Sequence, residues 1–173
     1  MNKLGISHLL QFFIFIALQI FLIKYLVLFN TGFCYIYIAF LLFLPIQLPP
    51  VILLLMGFTT GITVDTFYDT AGIHAGACVL LAYIRPYVLR FLTPRDEYDA
   101  NDSVNVRLMG WGWFVTYALI LIFLHHLLLF FLELGGLKVV GFTLLKVVVS
   151  TLYTFTVVVI VQLLFFSARR VAR

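Results

Sequence analysis

The chain has 173 residues, of which 64% are hydrophobic and 10% charged, with a mean hydropathy of +1.16. A soluble domain carries about 25% charged residues, so this set cannot cover a water-facing surface. That excludes a soluble enzyme domain, a nucleic-acid-binding module and a sizeable extramembrane domain, and leaves one membrane domain over residues 1–173. The net charge of +4 bears on orientation in a bilayer rather than on nucleic acid.

Charges are so sparse that the gaps between them mark the spans. The first apolar stretch, residues 7–29, is longer than a signal-peptide core and has no small-x-small cleavage pattern after it, so it reads as a retained helix. Residues 25–64 carry no charge and are too long for one span of about 20 residues. Pro45, Pro49 and Pro50 divide them, because proline lacks a donor and clashes with the preceding turn. This predicts helix 2 over 33–47 and helix 3 over 50–67, both short for a bilayer core, which they either thin locally or enter as a re-entrant pair. Helices 4, 5 and 6 are predicted over 72–92, 111–134 and 139–166. The expected fold is all-α, a six-helix membrane bundle.

Six crossings put both termini on one side. Lys3, Arg85, Arg90, Arg95, Arg107, Arg169, Arg170 and Arg173 then share the cytoplasmic side, against Lys24 and Lys138 outside, a positive-inside bias. Arg85 and Arg90 are expected to snorkel to the inner surface. Asp96, Glu97, Asp99 and Asp102 read as a solvated connector, or else as a cytoplasmic docking surface. Trp111 and Trp113 open helix 5 where an interfacial aromatic belt belongs. Cys34 and Cys78 read as buried apolar thiols.

Polar and small residues concentrate around one hairpin. Gly57-Phe-Thr-Thr-Gly61 is a GxxxG pattern that Asp65 extends on the same face, and Gly72-Ile-His-Ala-Gly76 is a second copy. Association in lipid relies on close packing and interhelical hydrogen bonds. The stripes therefore serve either packing within the hairpin or a partner's helix. Asp65, a carboxylate at membrane depth, is a functional candidate. Structurally, it would accept hydrogen bonds from the Asp69–Thr70 turn or pair with His74, while Asp69 or Thr70 caps helix 4. His125 and His126, adjacent on helix 5, point about 100° apart and suit separate hydrogen bonds better than joint chelation. Lys146, Ser150 and Thr154 share a face of helix 6, and Lys146 is expected to snorkel outward rather than pair with Asp65 or Glu133. Asp65, Asp69, His74, His125, Glu133 and Lys138 all fall on the outer half, either as a pocket or as separate interfacial residues. No metalloprotease, P-loop, nucleophile-elbow or CxxC pattern occurs, and no cofactor or metal is expected.

Gly61-Ile-Thr-Val-Asp65 followed by Gly72-Ile-His74-Ala75 resembles the recognisable stretch of the rod shape-determining MreD family, roughly Gly-x-x-x-Asp, a short gap, then Gly-x-His/Arg-Ala. Length, six-span layout and the basic C-terminal end also fit; the motif itself covers only about residues 57–83. The resemblance implies a non-enzymatic scaffold in the bacterial inner membrane, acting with an MreC-like bitopic protein, a penicillin-binding transpeptidase and other rod-complex proteins in lateral peptidoglycan synthesis and cell shape. It marks Gly57, Gly61, Asp65, Gly72, His74, Ala75 and Gly76 as packing or partner-contact candidates. It also implies a fold similar to the S components of energy-coupling-factor transporters. The rival reading is therefore a small-solute, vitamin-like binding subunit. Against it, helix 1 has Ala17 alone where those subunits carry an alanine stripe.

Overall fold

A computed structural model describes residues 5–94, 98, 104–135 and 139–165. The expected contributions of Lys3, Arg95, Lys138, Arg169, Arg170 and Arg173 and of the acidic residues Asp96, Glu97, Asp99 and Asp102 fall outside these residues.

Over the described residues the protein is all-α apart from one short hairpin. In chain order it forms α1 (Ile6–Phe21), a 3-10 turn (Ile23–Tyr25), strands β1 (Val27–Leu28) and β2 (Gly32–Phe33), α2 (Ile38–Phe43), α3 (Pro50–Tyr68), α4 (Ile73–Phe91), α5 (Val106–Met109), α6 (Trp111–Glu133) and α7 (Val140–Phe165). Among the described residues four segments, 6–25, 50–68, 111–133 and 140–165, are long and apolar enough to cross a membrane. α4 packs between α3 and α6, and α6 against α7.

Helix 3 starts where expected because Pro50 occupies its first turn, where a missing N–H costs nothing. Four threonines on α3 would be a liability in lipid. Thr59, Thr60, Thr63 and Thr66 each donate to the carbonyl four residues back, at 2.7–2.9 Å, so their hydroxyls are satisfied within the helix.

Two expected helices are corrected. Helix 1 does not reach residue 29: α1 ends at Phe21, and Lys24 reaches across to donate to the Phe67 carbonyl at 2.8 Å, pinning the turn to the end of α3. The chain then reverses through Phe29 and Asn30, both at positive φ (48° and 55°), the left-handed backbone that tight hairpins use. β2 lies close to α7: a Cβ on Gly32 would stand 2.8 Å from Val149 Cγ1.

The larger correction concerns helix 2. Residues 33–49 form a strap of turns and short non-helical stretches around the six-residue α2, too short a helix to span. Cys34 to Pro45 are buried throughout. The strap starts beside Ser150 and Thr154 on α7 and ends near Tyr98, which lies beyond α4. It thus passes through the middle of the bundle from the α3–α4 hairpin end to the opposite end. Non-helical backbone at membrane depth is tolerated only where it is buried in protein and its polar groups find partners.

Those partners come from four helices. Ser150 Oγ accepts the Phe33 N–H at 2.9 Å, and Thr154 Oγ1 accepts the Tyr35 N–H at 3.1 Å. Gln19 Nε2 on α1 donates to the Cys34 carbonyl at 3.2 Å. At the far end Tyr117 of α6 donates to the Leu42 carbonyl at 2.9 Å, and Arg85 of α4 donates to the Leu44 and Pro45 carbonyls at 2.5 and 3.3 Å. Arg85 is 1% exposed. It does not snorkel, and so drops out of the charge count that orients the chain.

Thr154→Val should leave the Tyr35 N–H unpaired in the core. The expected loss is about 1–3 kcal/mol, measured as a lowered thermal midpoint in mild detergent. Thr156→Val, whose hydroxyl bonds only its own helix's Leu152 carbonyl on an exposed face, should be near neutral.

Candidate functional site

The family-like residues meet at the α3–α4 hairpin. α3 ends at Asp69 in the left-handed region (φ 54°), and α4 begins after Gly72 at φ 85°. Gly72 occupies the N-cap and has no side chain to satisfy the first N–H groups of α4. Asp65 supplies the missing cap from the neighbouring helix: Oδ1 accepts the His74 N–H at 3.0 Å and Oδ2 the Ala75 N–H at 2.9 Å, while the Thr70 hydroxyl donates to Oδ1. The anion sits against the positive end of the α4 dipole, which offsets its unfavourable place near the end of α3. Asp65 is 2% exposed.

The expected turn contact is thus present through Thr70. Two alternatives are overturned. The His74 ring does not pair with Asp65, because it turns inward to Tyr37. Asp69 and Thr70 do not cap α4 directly, because Gly72 holds the N-cap position and Asp65 reaches over it.

The two GxxxG patterns behave differently. A Cβ on Gly61 would lie 2.6 Å from both the Ala75 N and the His74 carbonyl oxygen, and one on Gly57 2.9 Å from the Cys78 carbonyl oxygen. The first stripe therefore sets the α3–α4 crossing at backbone contact. The second does not pack: a Cβ on Gly72 or Gly76 would meet nothing within 4 Å.

Beneath the hairpin lies a buried aromatic and histidine cluster around the strap. The Tyr37 hydroxyl stands 2.8 Å from His74 Nδ1 and 3.1 Å from His125 Nε2, donating to one ring and accepting from the other. Cys78 Sγ is 3.8 Å from the same His125 nitrogen. His126 Nδ1 donates to the Ile122 carbonyl at 2.7 Å, so the neutral ring offers Nε2 to the Thr154 hydroxyl at 3.2 Å. The Tyr35 ring packs between His74 and His126, each centroid 5.4 Å away. His125 and His126 take separate partners, and among the described residues no three His, Cys, Asp or Glu side chains are grouped to hold a metal ion.

Lys146 corrects another expectation. It is 7% exposed and pairs with Glu133 at 2.9 Å, with its Nζ 4.5 Å from the centroids of both Phe33 and Phe130. The strap's first aromatic residue and the end of α6 thus hold the ammonium against the protein instead of leaving it to reach for water. Of the described outer-half polar residues, Glu133 lines a cavity at this end, with Lys24, Cys34, Tyr35 and Tyr68. At the opposite end Trp111 is exposed, while Trp113 donates to the Leu92 carbonyl at 2.9 Å and stacks on Tyr117 at 5.0 Å.

Sequence reasoning missed Gln19, Tyr35, Tyr37 and Tyr117 as structural side chains. Two signals were present. Gln19 lies in an otherwise apolar stretch of α1, and Tyr35 and Tyr37 bring two polar-tipped rings into a charge-free apolar run.

Asp65→Asn should cost about 1.5–3 kcal/mol. A carboxylate accepts on both oxygens, whereas an amide turns an NH2 toward one of two backbone donors. The measurement is thermal midpoint in detergent, compared with Asp69→Asn at the exposed turn, which should stay within about 0.5 kcal/mol of the parent chain. No family model matches this chain, and no curated protein or solved structure matches it.

Proposed function

We propose that the protein is a non-enzymatic membrane scaffold of a bacterial cell-elongation complex, of the MreD type, with both termini in the cytoplasm. The observation that supports this reading is the convergence of Gly61, Asp65, Gly72, His74 and Ala75 on one hairpin joint. These are the residues that carry the family resemblance, and here they serve architecture. The glycine sets a backbone-to-backbone crossing, the aspartate caps the next helix, and the histidine ring locks to the strap. A joint built this rigidly presents a fixed surface to a bitopic partner, as a scaffold requires.

The test is co-purification in mild detergent with identification of bound proteins by mass spectrometry. Recovery of an MreC-like bitopic protein and a penicillin-binding transpeptidase supports the reading. Recovery of an ATPase coupling module instead supports a small-solute-binding subunit. In cells, Gly61→Leu should abolish partner recovery and rod shape; unaltered assembly and shape with that variant would overturn the role given to the joint.

A further inference from the structure

A cavity of about 200 Å³ opens at the hairpin end between the 3-10 turn after α1, the start of the strap, and the ends of α3 and α6. At about 30 Å³ per water-sized atom, it has room for about seven non-hydrogen atoms. Its polar wall carries three donor side chains, Lys24, Tyr35 and Tyr68, and one carboxylate, Glu133. The Tyr68 hydroxyl accepts from Gln19 Nε2 at 2.6 Å, and its own hydrogen has no acceptor among the described residues. The Tyr35 hydroxyl, on a ring only 5% exposed, likewise makes no hydrogen bond among the described residues. Lys24 gives one hydrogen to the Phe67 carbonyl, lies 4.5 Å from the Tyr68 ring centroid, and has no carboxylate partner among the described residues. Glu133 is the one carboxylate on the wall, and its Oε2 is taken by Lys146. The Cys34 carbonyl is already occupied by Gln19. The unbalanced charge on the wall is therefore the Lys24 ammonium, beside two phenols with hydrogens to give.

We propose that this cavity is a binding site for a small oxyanion, a carboxylate or phosphate group of about seven non-hydrogen atoms or fewer, held by Lys24, Tyr35 and Tyr68. A cation would meet the Lys24 ammonium, with the wall's carboxylate, Glu133, already paired to Lys146, and a neutral polyol would leave the Lys24 ammonium uncompensated. The oxyanion is either a free solute or the phosphate of a lipid headgroup reaching in from the bilayer surface. The proposal does not rest on the scaffold reading.

The chain carries its own probe. Cys34 lines the cavity and Cys78 does not, and both thiols are free. The wild-type protein in phosphatidylcholine nanodiscs would be treated with an anionic sulfonatoethyl or a cationic trimethylammonioethyl methanethiosulfonate, and modification of each cysteine followed by peptide mass spectrometry. The anionic reagent should modify Cys34 about tenfold faster than the cationic one, with Cys78 unreactive as the internal check of folding. Lys24→Met should abolish the ratio and Lys24→Arg should keep it; Tyr68→Phe should reduce protection by added anion. Sodium lactate or inorganic phosphate slowing Cys34 modification supports a free solute. Protection in phosphatidylglycerol discs without added anion supports a headgroup. Equal rates for the two reagents, a Cys34 that neither reagent reaches, or absence of protection by lactate, phosphate and phosphatidylglycerol alike would overturn the site.

Discussion

Gly61→Ala is expected to destabilise the protein by about 3 kcal/mol, near the top of the usual range for overpacking. The added carbon would stand 2.6 Å from both the Ala75 N and the His74 carbonyl oxygen. These are backbone atoms, so no side chain can rotate aside, and α3 must move away from α4 along its length. That movement also pulls Asp65 off the first turn of α4, which couples the loss of packing to the loss of a cap. Gly76→Ala is the control. A Cβ there meets nothing within 4 Å, and the change relieves glycine's helix penalty of about 1 kcal/mol. The first variant should lower the thermal midpoint in detergent and the second should hold or raise it. Equal behaviour would show that the hairpin crossing is not set by contact at Gly61.

Arg85→Leu should be at least as damaging. Arg85 is buried, bonds the Leu44 and Pro45 carbonyls, and donates through Nε to the Tyr117 hydroxyl at 2.7 Å, which itself donates to the Leu42 carbonyl. Its guanidinium fork serves three acceptors at the point where the strap leaves helical geometry. Leucine leaves two strap carbonyls without partners, at about 1–3 kcal/mol each, so a total of about 4 kcal/mol is expected. Arg85→Lys should recover part of it, since a single ammonium cannot reproduce the planar fork. The readout is the yield of monodisperse protein in mild detergent together with its thermal midpoint. A leucine variant as stable as the parent chain would mean that the strap holds its position without these bonds.

Much of the helical frame was legible because charge is rare. Helices 3 to 6, expected over 50–67, 72–92, 111–134 and 139–166, are found at Pro50–Tyr68, Ile73–Phe91, Trp111–Glu133 and Val140–Phe165. Proline at the start of α3 and glycine ahead of α4 left clear local marks. The strap left none that hydropathy can resolve. A run such as Cys34 to Leu44 is equally apolar as a lipid-facing span or as a broken segment with one short helix enclosed by protein, and only the side chains it meets decide. Those side chains are far away in sequence. The same reason explains the errors at Arg85 and Lys146. A lone basic residue on an apolar helix reads as one that reaches for water, until an acceptor elsewhere in the fold claims it: the Leu44 carbonyl for Arg85, Glu133 for Lys146. Asp65 was recognisable as a special carboxylate. Its service to the next helix was not, because a cap supplied from another helix has no fixed spacing.

The strap also constrains how the molecule comes to exist. Its amides at Phe33 and Tyr35 depend on Ser150 and Thr154, more than a hundred residues later in the chain. When this stretch leaves the ribosome its hydrogen-bonding partners have not yet been synthesised, and hydrocarbon offers no substitutes. Residues 33–49 must therefore wait at the membrane surface, or in the shelter of an insertase, until α7 arrives to receive them. Biogenesis would then end with the threading of an early segment into a bundle completed late, and a nascent chain stopped before α7 should react at Cys34 with water-soluble thiol reagents faster than the full-length protein, without preference for an anionic one.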